Sequence, residues 1–141
     1  AATPGIAGLS AEPKTDFRLV RLDQFLRQKK CPIQHLAPDF IEAADKHELD
    51  WRLLPSISMV ESSGGKYKKN NNGDRKFPTV RHGIYTVANN LSTSKYYRNK
   101  DTDRILKTYN PRPEYKKRVR EVMAEIGPEP EISSDQEDSS D

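Results

Sequence analysis

The segment LDWRLLPSISMVESSGG, from Leu49 to Gly65, carries the clearest structural pattern in the chain. Its apolar residues recur at helical spacing, at Leu53, Leu54, Ile57 and Val60. Glu61 follows Ile57 by four residues and so continues the same stripe. The two glycines that come next can take the left-handed conformation that ends a helix. The pattern therefore predicts a helix that ends just after a carboxylate on its buried face.

A carboxylate on a buried helix face loses hydration, which favours its protonated form. The negative end of the helix dipole favours that form further. A protonated acid at neutral pH is what the cleavage of a glycosidic bond requires. The alternative is a solvated glutamate near a helix end, which is the usual situation for this residue type. The sequence pattern around Glu61 leaves both interpretations open.

Helical periodicity extends to both sides of this stretch. Asp50 can cap the central helix, and Pro55 places its start near Arg52 or bends it. Five further helices are predicted: Asp16 to about Gln28, about Pro38 to His47, Thr79 to about Ser92, Asp101 to Tyr109, and Pro113 to Ile126. The fold class expected is mostly α, a compact lysozyme-like bundle of about six helices, with a small hairpin or long loop over residues 66–77.

Length and composition favour one domain. The chain has 141 residues, of which 33% are hydrophobic, and a mean hydropathy of −0.92. We expect a folded domain over residues 16–127, a flexible lead-in over 1–15 and a disordered acidic tail over 128–141. No apolar run has the length of a membrane-spanning helix. The start of the chain shows no signal peptide and is interpreted either as a mature end left after cleavage or as an artificial start.

The net charge of +3 is unevenly distributed. All 24 Lys and Arg residues lie in 1–127 together with 15 acids, which gives this part a charge of +9, and the tail carries the remaining six acids. A basic body suits a polyanionic partner, either a cell-wall polymer or nucleic acid.

The cysteine and histidine content argues against a metal site. A single cysteine, Cys31, excludes an intrachain disulfide and is expected to be a small buried residue. His35, His47 and His82 show no ligand spacing. No metal or other cofactor is expected.

Three segments occur in an order typical of one family. They are the stretch from Leu49 to Gly65, the predicted helix segment GIYTVANNL from Gly83 to Leu91, and TYNP from Thr108 to Pro111, followed by Tyr115. This order resembles the lysozyme-like superfamily, specifically the lytic transglycosylases and their goose-type lysozyme relatives, over about residues 37–126. That family carries a catalytic Glu-Ser pair at a helix end and a later Tyr-Asn element.

The resemblance implies a role for each matching residue. Glu61 would be the single acid/base: it would protonate the oxygen between N-acetylmuramic acid and N-acetylglucosamine, then deprotonate the sugar's own 6-hydroxyl to close a 1,6-anhydro ring. Ser62 matches the serine of the pair. Tyr109 is expected to hydrogen-bond near Glu61 and help orient it, with Asn110 in the same motif. The partner implied is the peptidoglycan glycan strand.

Several of these residues have simpler structural interpretations. Ser62 would bond a backbone carbonyl at the helix end, and Tyr109 would be a core aromatic. Trp51 is expected in the core rather than as a platform for a sugar. Asn72 and Tyr85 are further candidates for substrate binding, and Tyr85 could equally be a packing residue.

The loop after the helix departs from the family pattern. It runs from Asn70 to Asp74 without the Gly-Leu-Met-Gln or Asn-x-Phe-Gly motif that shapes the family's cleft, so it is either short or incompletely represented. Two alternatives to a transglycosylase follow: a hydrolase with Asp74 as second carboxylate, or a non-catalytic glycan-binding domain. Nucleic-acid binding is disfavoured because no helix shows a dense basic face interleaved with exposed aromatics and no known reader motif appears. A periplasmic or extracellular location is inferred from the substrate, and a monomer is favoured.

Overall fold

The structure, a computed structural model, describes residues 16–64 and 79–128. These residues are 70% helical, contain no strand and form a compact bundle. The helices are α1 Phe17–Lys29, α2 Ala37–Lys46, α3 Leu53–Ser62, α4 Val80–Thr93, α5 Thr102–Tyr109 and α6 Pro113–Ile126. The predicted six-helix bundle is thus confirmed. The predictions for the lead-in, the hairpin or loop, Asn72, Asp74 and the acidic tail beyond Pro128 lie outside the described residues.

The helix starts follow the capping residues found in the sequence. The side chains of Asp16, Thr79 and Asp101 accept backbone N–H groups in the first turns of α1, α4 and α5, at 2.9–3.0 Å. Such a cap satisfies a donor that has no partner within the helix. The predicted starts of these three helices are confirmed.

Helix α3 begins at Leu53, so Pro55 falls in its first turn, where the missing N–H costs nothing. Asp50 accepts the Arg52 backbone N–H at 2.9 Å, and its carboxylate pairs with the Arg52 guanidinium at 2.9 Å. The guanidinium also donates to the Gly127 carbonyl at 2.9 Å. Since Arg52 is only 2% exposed, its bonds to Asp50 and Gly127 form a buried connection between the start of α3 and the end of α6.

The core is organised around α3 and α6, which pack on each other; α2 packs on α4, and α1 contacts both α2 and α6. Its largest buried side chains include Phe40, Leu22, Leu26, Leu53, Leu91, Leu106 and Met123. Trp51 and Cys31 are buried, as predicted. Val80, at the first turn of α4, lies outside this core and is 49% exposed. Removal of this apolar surface from water supplies the main stabilising free energy of the bundle.

The chain leaves α3 through two left-handed residues, Ser63 (φ 52°) and Gly64 (φ 70°). The helix stop was predicted at Gly64 and Gly65, one residue later. A Cβ added at Gly64 would lie 2.7 Å from the Cys31 Cβ, so the backbone passes too close to Cys31 for any larger residue. This close approach fixes the end of α3 directly after Glu61.

Candidate active site at the end of α3

Glu61 lies one residue before the last residue of α3 and is half-buried. Its Oε1 accepts a hydrogen bond at 3.2 Å from the hydroxyl of Tyr115, which lies in the first turn of α6. Tyr115 is only 6% exposed. The carboxylate that continues the apolar stripe of α3 therefore meets a buried phenol of the neighbouring helix.

The Tyr115 ring in turn stacks on the ring of Tyr109, with centroids 6.0 Å apart and planes at 11°. Tyr109 is the last residue of α5, so three different helices supply Glu61, Tyr115 and Tyr109. Stacked aromatic rings at this distance stabilise each other's position beyond their burial. We call these three residues the Glu61 group.

Burial raises the pKa of Tyr115 well above its ordinary value, and the negative charge of Glu61 raises it further, as do Tyr109 and Tyr97 nearby. The phenol therefore keeps its proton through neutral and mildly alkaline pH. Tyr115 is thus a neutral donor that holds the Glu61 carboxylate in one orientation without contributing a positive charge.

The sequence assigned the orienting role to Tyr109, whereas in the structure the hydroxyl on Glu61 is that of Tyr115, with Tyr109 stacked behind it. A signal for Tyr115 was present. It shares a helix face with Val119 and Met123, at intervals of four residues, and this face is buried in the contact with α3.

Ser62 is 3% exposed, and its hydroxyl donates to the Ser58 carbonyl at 3.2 Å. The Gly64 N–H donates to the same carbonyl at 3.1 Å. These bonds close the last turn of α3, which is the structural role considered for this serine.

Asn110 shapes the turn between α5 and α6. Its side-chain oxygen accepts the Arg112 N–H at 3.1 Å, and its own N–H donates to the Leu106 carbonyl at 2.9 Å. Asparagine favours such turns because its side chain can replace a backbone acceptor. The turn brings Tyr109 against Tyr115, so Asn110 supports the Glu61 group through the backbone.

Tyr85 contacts α2 and is not part of the Glu61 group. Its hydroxyl donates to Glu42 at 2.7 Å and lies 3.4 Å from an Asp39 oxygen, both on α2. Burial, followed by the two carboxylates, raises the pKa of Tyr85. The structure thus places this candidate in the contact between α2 and α4 rather than with the Glu61 group.

Two surface grooves are lined by described residues, and Glu61 lines neither. One, of about 560 Å³, lies between α1 and α2, with Leu19 and Ile41 among its lining residues. The other, of about 300 Å³, lies between α1, α3 and α6 and includes Val60, the residue before Glu61. The segment that follows Gly64 lies outside the described residues.

Within residues 16–64 and 79–128, no group of three or more His, Cys, Asp or Glu side chains could hold a metal ion. In the same part of the chain, no helix combines the length and apolar character needed to cross a bilayer.

No protein-family model, curated protein or solved structure matches the chain. The sequence motif and the geometry of the Glu61 group are therefore the features that bear on function.

Proposed function

We propose that the protein is a peptidoglycan lytic transglycosylase, in which Glu61 is the single acid/base. Glu61 protonates the glycosidic oxygen between N-acetylmuramic acid and N-acetylglucosamine, and the bond to that oxygen breaks. The resulting carboxylate then takes the proton of the 6-hydroxyl, whose oxygen closes the 1,6-anhydro ring. One carboxylate suffices because it gives one proton and regains another within the same turnover.

The observation that carries the proposal is the bond from Tyr115 to Glu61. A general acid must be held in position yet remain free to exchange its proton. A cationic partner would bind the carboxylate through a full opposite charge, whereas the Tyr115 phenol orients it through a hydrogen bond from a neutral group. Among the described residues, no Lys, Arg or His forms a salt bridge with Glu61, although seven other acids do have such partners: Asp16, Asp23, Asp39, Asp45, Asp50, Asp103 and Glu125.

Ring closure is proposed over hydrolysis because it needs only one carboxylate. A hydrolase of the usual kind needs a second carboxylate for the nucleophile or the water. Among the described residues, the side chain that donates to Glu61 is the phenol of Tyr115. Asp74, the candidate second carboxylate, lies outside the described residues.

The test is to digest purified peptidoglycan with the full chain and to weigh the released muropeptides by mass spectrometry. The proposal predicts 1,6-anhydro ends, which are lighter than hydrolysed ends by one water. Reducing ends as the sole product would replace the proposal with the hydrolase alternative. The absence of any release by the folded protein would leave the non-catalytic glycan-binding domain.

Two variants assign the activity to its residue. Glu61→Gln keeps the shape of the side chain and removes its proton, and we expect the release to fall by about 10³-fold, within the range for loss of a general acid. Glu48→Gln is the matched control, because Glu48 is exposed in the connection between α2 and α3. Equal release by the two variants would show that Glu61 is not the acid.

A further inference from the structure

The described halves of the molecule differ sharply in charge. Residues 16–64 contain seven basic and eight acidic residues, a net charge of −1. The segment from Lys95 to Arg120 contains ten basic and three acidic residues, a net charge of +7. Among the described residues, the positive charge is therefore concentrated in α5, α6 and the chain on either side of α5.

Two contacts join α5 to α6: the ion pair of Arg120 with Asp103 at 2.7 Å, and the stacked rings of Tyr109 and Tyr115. The helices are connected by the short turn at residues 110–112, and these two contacts place them side by side in opposite directions. Lys107 lies one turn after Asp103, and Lys116 lies one turn before Arg120. Residues four apart share a helix face. Lys107 and Lys116 therefore lie beside each other across the seam, on the side of the connecting turn.

Arg112, in that turn, is a third cation between them along the chain. We call Lys107, Arg112 and Lys116 the basic seam. Lys107 and Arg112 are exposed and Lys116 is half-exposed. Within the described residues, no acid forms an ion pair with any of the three, in contrast to Arg120. Three uncompensated cations this close together repel one another, and an anion from outside the chain relieves that repulsion.

The shape of the seam selects the kind of anion. Its cations come from two helices and from the turn that joins them, and they line neither the groove between α1 and α2 nor the groove between α1, α3 and α6. A linear chain with repeated charges can contact each of these cations in turn. Two of the three are lysines, which bind phosphate as point charges without demanding a planar partner.

We propose that the basic seam binds the phosphodiester-linked anionic polymer of a bacterial cell wall and so holds the enzyme beside its glycan substrate. The choice of this source rests on the proposed function. The seam is formed by two helices together, which is why no single helix shows a dense basic face in the sequence.

The test measures binding of the full chain to poly(glycerol phosphate), with uncharged dextran and a DNA duplex as the other probes. The variant Lys107→Gln/Lys116→Gln removes two charges from the seam. Lys30→Gln/Lys46→Gln removes two from exposed positions of the α1–α2 half and is the matched control. We expect the seam variant to bind the polymer about tenfold more weakly than the control at physiological salt, since interactions with phosphate dominate such affinity.

A salt titration gives a second readout. Each lysine that no longer neutralises a phosphate lowers the slope of log affinity against log salt by about 0.7 for a single-stranded polyanion, so the slope of the seam variant should be lower by about 1.4. Equal slopes and affinities for the two double variants would overturn the proposal. So would a wild-type affinity for the DNA duplex equal to or greater than that for the wall polymer, or binding to dextran as tight as to the polymer.

Binding and cleavage separate the two proposals. Glu61→Gln should bind the polymer like the wild type while it loses glycan release. If the wild type bound the polymer but released no muropeptides, the catalytic proposal would fail and the seam would stand. If the wild type released muropeptides normally but did not bind the polymer, the proposal for the basic seam would fail and the catalytic proposal would stand.

Discussion

The two ends of α3 each carry an acid, and the two acids are compensated in different ways. At the start, Asp50 is paired with the buried guanidinium of Arg52, and its side chain is 11% exposed. At the end, Glu61 accepts a bond from the neutral phenol of Tyr115. A buried acid that faces a fixed cation stays ionised and holds the structure together. An acid that faces a neutral donor is oriented but can still exchange its proton, which is the state that acid catalysis requires.

The helix dipole also acts differently on the two acids. Asp50 lies just before the positive end of α3, where a carboxylate is stabilised, and Glu61 lies at the negative end, where it is not. One helix thus separates a structural acid from a candidate catalytic acid. The predictions that follow test whether the two ends can be perturbed independently.

The largest effect on stability is expected at the Arg52 end. Arg52→Met leaves the Asp50 carboxylate buried without its cation and removes the bond to Gly127, so the free energy of unfolding should fall by about 3 kcal/mol. Urea denaturation measures this free energy. The matched control is Arg27→Met, because Arg27 is 61% exposed in an ion pair with Asp23, and that loss should stay below about 1 kcal/mol. Similar losses for the two variants would remove the distinction between a structural and a surface pair.

A smaller effect, on turnover, is expected at the Glu61 end. Tyr115→Phe keeps the ring stacked on Tyr109 and removes the hydrogen bond to Glu61. Loss of about 1.4 kcal/mol of orienting interaction corresponds to about a tenfold fall in kcat. KM should be unchanged, because the phenol acts through Glu61. Tyr96→Phe is the control, since Tyr96 is 61% exposed. A fall in kcat common to both variants, or a rise in KM alone, would contradict the positioning role.

The dependence of stability on alkaline pH tests the burial of the same phenol. The pKa of Tyr115 is raised in the folded state, above its ordinary value of 10.0. The folded protein therefore keeps a proton that the unfolded chain releases, and stability falls as pH rises above that value. Tyr115→Phe should make this fall shallower by up to about 1.4 kcal/mol per pH unit. The measurement is the free energy of unfolding between about pH 9 and 11, for the wild type and for Tyr115→Phe. An unchanged slope would mean that the phenol is not buried.

The smallest effect is expected at the cap of α1. The hydrogen bond from Arg18 holds the pKa of the Asp16 carboxyl below its ordinary value of 3.8. Its contribution to stability is present above that value and is lost as pH falls. Because the Asp16 side chain is 37% exposed, solvent screening keeps the effect of Asp16→Asn well under about 1 kcal/mol. Denaturation at neutral pH and at about pH 3 measures the free energy of unfolding of the wild type and of Asp16→Asn. The difference between them should be smaller at the acidic pH.

Much of the fold followed from local chemistry. Helix starts could be predicted because a capping side chain and the apolar spacing after it lie within a few residues of each other, as at Asp16, Thr79 and Asp101. Local chemistry does not settle burial, however: Val80 is apolar and lies in the first turn of α4, yet it is 49% exposed.

The candidate site was predictable only in part. Glu61 could be found because its own helix carries the stripe that it continues. Tyr115 could be assigned only to the core, since its contact with Glu61 depends on how α6 docks against α3, 54 residues away along the chain. The basic seam was missed for the same reason, because periodicity describes one helix at a time and the seam lies between two.

The most direct test of the contrast between the two acids compares Glu61→Gln with Asp50→Asn for both turnover and the free energy of unfolding. We predict that Glu61→Gln loses about 10³-fold in muropeptide release and changes stability by less than about 1 kcal/mol. Asp50→Asn should lose about 3 kcal/mol of stability and, at temperatures where it remains folded, keep its turnover. A Glu61→Gln protein that still releases muropeptides at the wild-type rate would contradict the account.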